Sequence, residues 1–233
     1  MTEGVVYVVN GEPFIKMVIH SIKSLKKISN LPVTLCAPRK YFEELKICDA
    51  DLVELPLKYQ QSPPRDTIGC LGSYCKFFGF NLMPYDVNFF IDADTQILRN
   101  PREAYDPNFD FAGCQDLKGP VWKTKKFNGF SNGFNSGFLI YKKIPSIKNL
   151  FKAAENCYLN EEFKTPDISD QQSINRVLKR SFIEHGIKIN ILDPRWNARP
   201  PIWDKFKDYN ILHCHGLYHL RVFNEVSNNW ATF

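Results

Sequence analysis

The chain has 233 residues, enough for one generous domain, with 44% apolar and 24% charged residues. That much apolar surface excludes disorder as the main state. Thirty basic against 25 acidic residues leave a net charge of +5. A nucleic-acid-binding chain would be more basic, with its charge clustered.

The first expected element is a strand, Val5–Val9, followed by the loop Asn10-Gly11-Glu12-Pro13. Ile15, Val18, Ile22 and Leu25 then recur at spacings of three and four, which predicts an amphipathic helix. Leu31–Cys36 reads as a strand, Tyr41–Ile47 as a helix and Asp51–Leu55 as a short strand. This alternation of strand and helix predicts a parallel sheet covered by helices. Gln60–Asp66, with Ser62, Pro63 and Pro64, reads as a loop. A helix is expected over Leu71–Leu82, with Leu71, Tyr74, Phe78 and Leu82 on its inner face and Lys76 off that stripe. The apolar run Val87–Ile91 predicts a central strand, covered on both faces.

Strands are predicted at Phe109–Gly113 and Gly137–Tyr141, flanking a long Gly-, Asn- and Lys-rich loop, Lys118–Asn132. Loops of that length are often functional. This one carries Trp122, Phe127 and Phe130 among the lysines Lys118, Lys123, Lys125 and Lys126; a plain surface loop is the alternative. Pro145 opens a helix carrying Ile147, Leu150, Phe151, Ala154 and Tyr158. A further helix is expected over Ser169–Lys179, with Ile174, Val177 and Leu178 inward. Ile187–Leu192 and Asn210–Cys214 read as late strands. No linker is evident, so residues 1–233 are expected to form one domain of α/β class. The predicted architecture is a mixed, mostly parallel central sheet flanked by helices.

Seven cysteines form no CxxC pair, and the first residues show no basic, signal-like stretch. No run of 18 apolar residues is present. These features predict reduced thiols in a cytoplasmic protein without a membrane span.

The chemistry concentrates at Asp92-Ala93-Asp94, immediately after the apolar strand. In extended chain, residues i and i+2 point to one side, so both carboxylates should converge at the strand's carboxyl end. Open α/β sheets bind ligands there. Two buried like charges are costly unless a cation lies between them, and oxygen ligands favour hard divalent ions. Solvated turn aspartates are the bland alternative. A phosphatase of the haloacid dehalogenase class is a rival. Its Asp-x-Asp-x-Thr spacing is missed by one residue, because Thr95 follows Asp94 directly.

Several segments in order resemble glycosyltransferase family 8, the GT-A enzymes related to glycogenin and bacterial lipooligosaccharide galactosyltransferases. They are Leu71–Phe77, Met83–Asp86, Phe89–Thr95, Phe134–Ile140, Asp170–Asn175, Asp193–Asn197 and Ile211–Gly216. The resemblance implies a single GT-A domain, Rossmann-like in plan. It implies transfer of a sugar from a nucleotide diphosphate sugar, UDP by family default, to a glycan or glycoprotein hydroxyl, with retention of configuration. Asp92, Asp94 and His213 would hold Mn²⁺ or Mg²⁺, with His215 as the nearest competitor to His213. Val9, Asn10 and Phe14 would line the base site. Lys76 would approach the donor's phosphates or the metal-binding aspartates, and Ala93, Gly216 and His219 would belong to the donor site. His219 stands where relatives carry Lys, and Arg221 could substitute for it. Asn135, Ser136, Asp170 and Gln171 would meet the donor sugar. Gln171 is a poor nucleophile and would act through its carbonyl on a positive sugar-like transition state; Asp170 is the only nearby carboxylate on that motif. A domain that binds nucleotide sugar without turnover is the non-enzymatic alternative.

Overall fold

In a computed structural model, the described residues are 1–61, 73–115, 133–160, 170–199 and 208–214. The chain runs β1 (Glu3–Val8), α1 (Glu12–Lys26), β2 (Val33–Ala37), α2 (Phe42–Leu45), β3 (Asp51–Glu54), α3 (Leu57–Gln60) and α4 (Ser73–Leu82). It continues with β4 (Val87–Ile91), β5 (Thr95–Ile97), β6 (Phe111–Gln115) and β7 (Phe134–Lys142). Helices α5 (Pro145–Leu159) and α6 (Asp170–His185) follow, then β8 (Ile189–Leu192) and β9 (Ile211–His213).

Seven strands form one sheet in the order β3-β2-β1-β4-β7-β6-β8. Strands β3, β2, β1 and β4 pair in parallel. Strand β7 is antiparallel to both β4 and β6, and β8 is parallel to β6. Only β7 therefore runs against the rest. The predicted mixed, mostly parallel sheet flanked by helices is present.

Side-chain alternation splits the core in two. Val5, Tyr7, Phe89 and Ile91 face α1, whose Ile15, Val18, Ile22 and Leu25 are fully buried. Val6, Val8 and Phe90 face α4, α5 and α6. Gly11 takes φ 128° at the start of α1, Pro13 lies in the first turn, and Lys23 and Lys26 lie in the last, where the helix dipole favours cations. Gly79 of α4 admits close packing on β1, since a Cβ there would meet Val8 Cγ2 at 2.3 Å.

Some expectations shift. The inner face of α4 is Tyr74, Cys75, Phe77 and Phe80; Phe78 and Leu82 are only partly buried. The Phe80 ring stacks on Phe151 at 4.9 Å and lies 4.4 Å from Phe90, so aromatic packing sets the helix's rotation. The strand expected at Phe109–Gly113 is displaced to Phe111–Gln115, and β7 starts three residues earlier than expected. The Tyr41–Ile47 helix is one α turn between two 3₁₀ turns. The short α3 falls just before the expected loop, and β5 was not anticipated. No described helix is long and apolar enough to cross a membrane.

Candidate active site

The end of β4 is buried throughout, and the chain leaves it in a tight turn. Asp92 Nα–H bonds the Gly137 carbonyl of β7 at 2.9 Å. Thr95 Oγ1 donates back to the Asp92 carbonyl at 2.8 Å. Since that proton is committed, Thr95 accepts from Ser21 at 2.7 Å, and Ser21 accepts from Tyr7 at 2.9 Å. A buried hydroxyl chain thus ties the aspartate turn to α1 and β1. Asp92 and Asp94 converge through this turn, which replaces the strand alternation expected from the sequence.

Strand β5, leaving the turn, pairs antiparallel with β9 and sets Thr95 opposite His213. The Cys214 amide donates to the Asp94 carbonyl at 2.8 Å. His213 Nε2 consequently lies 3.2 Å from Asp94 Oδ1 and 3.6 Å from Asp92 Oδ2. Ligand atoms of Asp92, Asp94 and His213 all lie within 4.8 Å of one another, and all three residues are buried. Gly137 makes room for the ring: a Cβ there would meet His213 Cε1 at 2.3 Å and Nδ1 at 2.4 Å.

Lys76, on α4, places its Nζ 2.7 Å from Asp92 Oδ1 and 3.5 Å from Asp170 Oδ2. Burial alone would favour the neutral amine, but Asp170 and Asp92 outweigh it and hold the ammonium's pKa above its usual value. Burial also raises the Asp92 pKa; Lys76 and His213 oppose that shift, while Asp94 and Asp170 add to it. The donor set is two carboxylates and an imidazole. Asp92 Oδ1 and Asp170 Oδ2 are buried and face the Lys76 ammonium, with no hydrogen bond beyond that ion pair among the described residues. A divalent cation fits this environment, which concentrates negative charge under one ammonium.

Asp170 opens α6, where its charge complements the helix dipole. Gln171 Oε1 accepts from Asn135 Nδ2 at 2.8 Å and from the Ser136 amide at 3.4 Å. Both lone-pair directions of that carbonyl are engaged, so the role expected for it toward a sugar competes with two existing hydrogen bonds. Asn135 Oδ1 accepts from the Gly137 amide at 2.9 Å and from Asn197 Nδ2. Asn197 Oδ1 faces His213 Nδ1 at 2.8 Å. Sequence reasoning noted the Trp196-Asn197 segment but gave Asn197 no role. Its contact depends on the pairing of two segments, made by Ala198 Nα–H to Ile211 and His213 Nα–H to Ala198.

Val9 is buried just past the end of β1, and its amide donates to the Cys36 carbonyl of β2 at 2.9 Å. Asn10 donates to the Gln60 carbonyl at 3.0 Å, tying β1 to α3. Phe14 is half-buried in the first turn of α1, packed on the core. Gly216, His219, His215 and Arg221 lie outside the described residues, as does the Lys118–Asn132 loop.

Residues 81–219, more than half of the chain, match the family described as nucleotide-diphospho-sugar transferase. Among solved structures, mouse xyloside xylosyltransferase 1 matches at 14% identity and a TM-score of 0.64, over 94% of this chain and 99% of that one. The galactosyltransferase LgtC, solved with donor and acceptor sugar analogues, matches at 12% identity and a TM-score of 0.62, over 98% and 96%. The glycosyltransferase GlyE of Streptococcus pneumoniae matches at 16% and 0.61, over 91% of this chain and 54% of that one. A comparison with curated protein sequences found no match. None of these matches is a phosphatase.

Proposed function

The chain belongs to the nucleotide-diphospho-sugar transferase family, and from that premise we propose a metal-dependent, retaining transfer of a sugar from a UDP-sugar to an acceptor hydroxyl. The observation that carries the reading is the buried convergence of Asp92, Asp94 and His213 at the carboxyl end of β4. These three residues would hold the cation, and their mixed oxygen and nitrogen donors favour Mn²⁺ over Mg²⁺. When bound, such an ion offsets the charge of the diphosphate leaving group.

The remaining residues orient and shield. Val9, Asn10 and Phe14 lie at the end of β1 and in the turn after it, where a base would rest. Lys76 is already paired with Asp92 and Asp170, and its charge would extend to the donor's phosphates. Ala93, Gly216 and His219 complete the phosphate side in this reading. Asn135 and Ser136 hold the Gln171 carbonyl, which favours a fixed, orienting amide over a nucleophile. Asp170 is committed to Lys76, which also disfavours it as a nucleophile.

The reaction then follows same-face attack. The bond from the anomeric carbon to the diphosphate oxygen breaks. The acceptor oxygen bonds that carbon on the same face, and its proton passes to the departing phosphate. The protein supplies positioning and charge stabilisation.

Thermal unfolding with UDP, GDP, CDP or TDP, each with and without Mn²⁺, tests the donor site. A ligand at 100 times its Kd stabilises by about 2.7 kcal/mol. A shift for UDP that requires Mn²⁺ is expected. A shift for none of the four, with or without the ion, sinks the reading. Slow, Mn²⁺-dependent hydrolysis of the UDP-sugar then separates an enzyme from a binding module.

A further inference from the structure

We propose that Asn197 is a positioning residue, which fixes His213 as the Nδ1–H tautomer and so turns the Nε2 lone pair toward the space between Asp92 and Asp94. The inference rests on the metal reading above and adds to it the device that makes the imidazole a ligand.

The argument begins with two backbone amides, which can only donate. The Gly137 amide points at one side-chain atom of Asn135, so that atom is the oxygen, Oδ1. Asn135 must therefore direct its NH₂ group at Gln171, whose facing atom is then its carbonyl oxygen. The Ser136 amide approaches that same Gln171 oxygen, which confirms the direction independently. Asn135 Oδ1 also faces the side chain of Asn197, so the facing group there is the NH₂ donor. The opposite end of the Asn197 amide is consequently its oxygen, and it lies 2.8 Å from His213 Nδ1. An oxygen acceptor there requires Nδ1 to carry the proton. In the neutral imidazole the lone pair then sits on Nε2, 3.2 Å from Asp94 Oδ1 and 3.6 Å from Asp92 Oδ2, where a cation would take it.

The links from Asn135 to His213 are buried. Asn135 is 3% exposed, Asn197 4% and His213 3%. Water does not compete with these hydrogen bonds, and a reversed amide would set donor against donor in a site of low dielectric. Asn197 is itself fixed, since it ends a 3₁₀ turn capped by Asp193, with Trp196 stacked on Phe138 at 5.9 Å. The sugar-side residue Gln171 and the cation-side residue His213 thus share one polarised amide chain, whose direction is set by the strand β7 backbone. Partners of this kind orient metal-bound imidazoles, and their loss commonly costs 10–100-fold in metal affinity.

The test uses the protein without metal first. Long-range ¹H–¹⁵N correlation spectra of histidine-labelled protein, with His213 assigned by its disappearance in His213→Gln, should show a protonated Nδ1. An unprotonated Nδ1 overturns the proposal. Mn²⁺ affinity, read from the free-ion paramagnetic resonance signal, should fall 10–100-fold in Asn197→Ala. Unchanged affinity in Asn197→Ala also overturns the proposal. Should that variant fail to fold, the wild-type tautomer still decides. Wild-type protein with the Nδ1–H tautomer but no bound Mn²⁺ overturns the metal reading itself, a different failure from a wrong tautomer.

Discussion

Gly137 and Lys76 show how single residues set the site. At Gly137 a methyl group would overlap the His213 ring, and the ring is held from behind by Asn197. Gly137→Ala should therefore displace His213 at a cost of about 1–3 kcal/mol. Mn²⁺ affinity should fall further than unfolding stability does, by titration set against urea melts. Lys76 is the cation that already faces Asp92 and Asp170. Removing one partner of a buried ion pair costs about 3–5 kcal/mol. In metal-free protein, Lys76→Met should lose about that much by urea unfolding. Saturating Mn²⁺ should then recover more stability in the variant than in wild type. At this scale the sequence was partly readable. Asp92 and Asp94 announce themselves because acidic residues directly after a buried strand have no packing reason to be there. Asn197 does not, because its partner His213 is brought to it only by tertiary pairing.

Among elements, the 3₁₀ turn Pro194–Asn197 carries the Asn197 side chain into the site and depends on one cap. Asp193 accepts from the Arg195 amide at 2.9 Å, and Arg195 Nε and Nη2 grip the same carboxylate. These Arg195 hydrogen bonds hold its pKa below the ordinary aspartate range. A depressed carboxylate contributes stability above its unfolded-state pKa, about 3.9, and loses it as pH falls through the lower folded value. The turn should thus be intact at neutral pH and loosen below about pH 4, seen as a change in Trp196 fluorescence. Asp193→Ala should cost about 1 kcal/mol and flatten that response. Helices α1 and α5 were legible because burial repeats along them, and β4 because its apolar run is buried throughout. Strand β5 was not, since three residues carry no period and its partner lies in β9. The reversed direction of β7 was not legible either, because an apolar run reads alike both ways.

Across the whole molecule, the described cysteines Cys36, Cys48, Cys75, Cys114, Cys157 and Cys214 carry thiols not joined in disulfides. All but Cys157 are buried. Burial pushes Cys36 and Cys75 up to about 12, so neither offers a thiolate near neutral pH. Alkylation of native protein at pH 7.5 should mark Cys157 quickly. Cys36 and Cys75 should be marked only at the rate of global unfolding, measured by peptide mass analysis against a fluorescence unfolding trace.

The pairing of β5 with β9 bears on how the molecule is made. A ribosome releases the chain from its amino end. All seven strands of the large sheet have been synthesised by Leu192, along with Asp92, Asp94, Asp170 and Lys76. His213 comes later, on the strand that pairs with β5. The nascent sheet can therefore assemble while its acidic cluster is balanced by the lysine alone. The histidine is then added to a scaffold that already exists. A cation site completed in this order has its carboxylates in place before its last ligand arrives, so the order of synthesis separates building the fold from arming it.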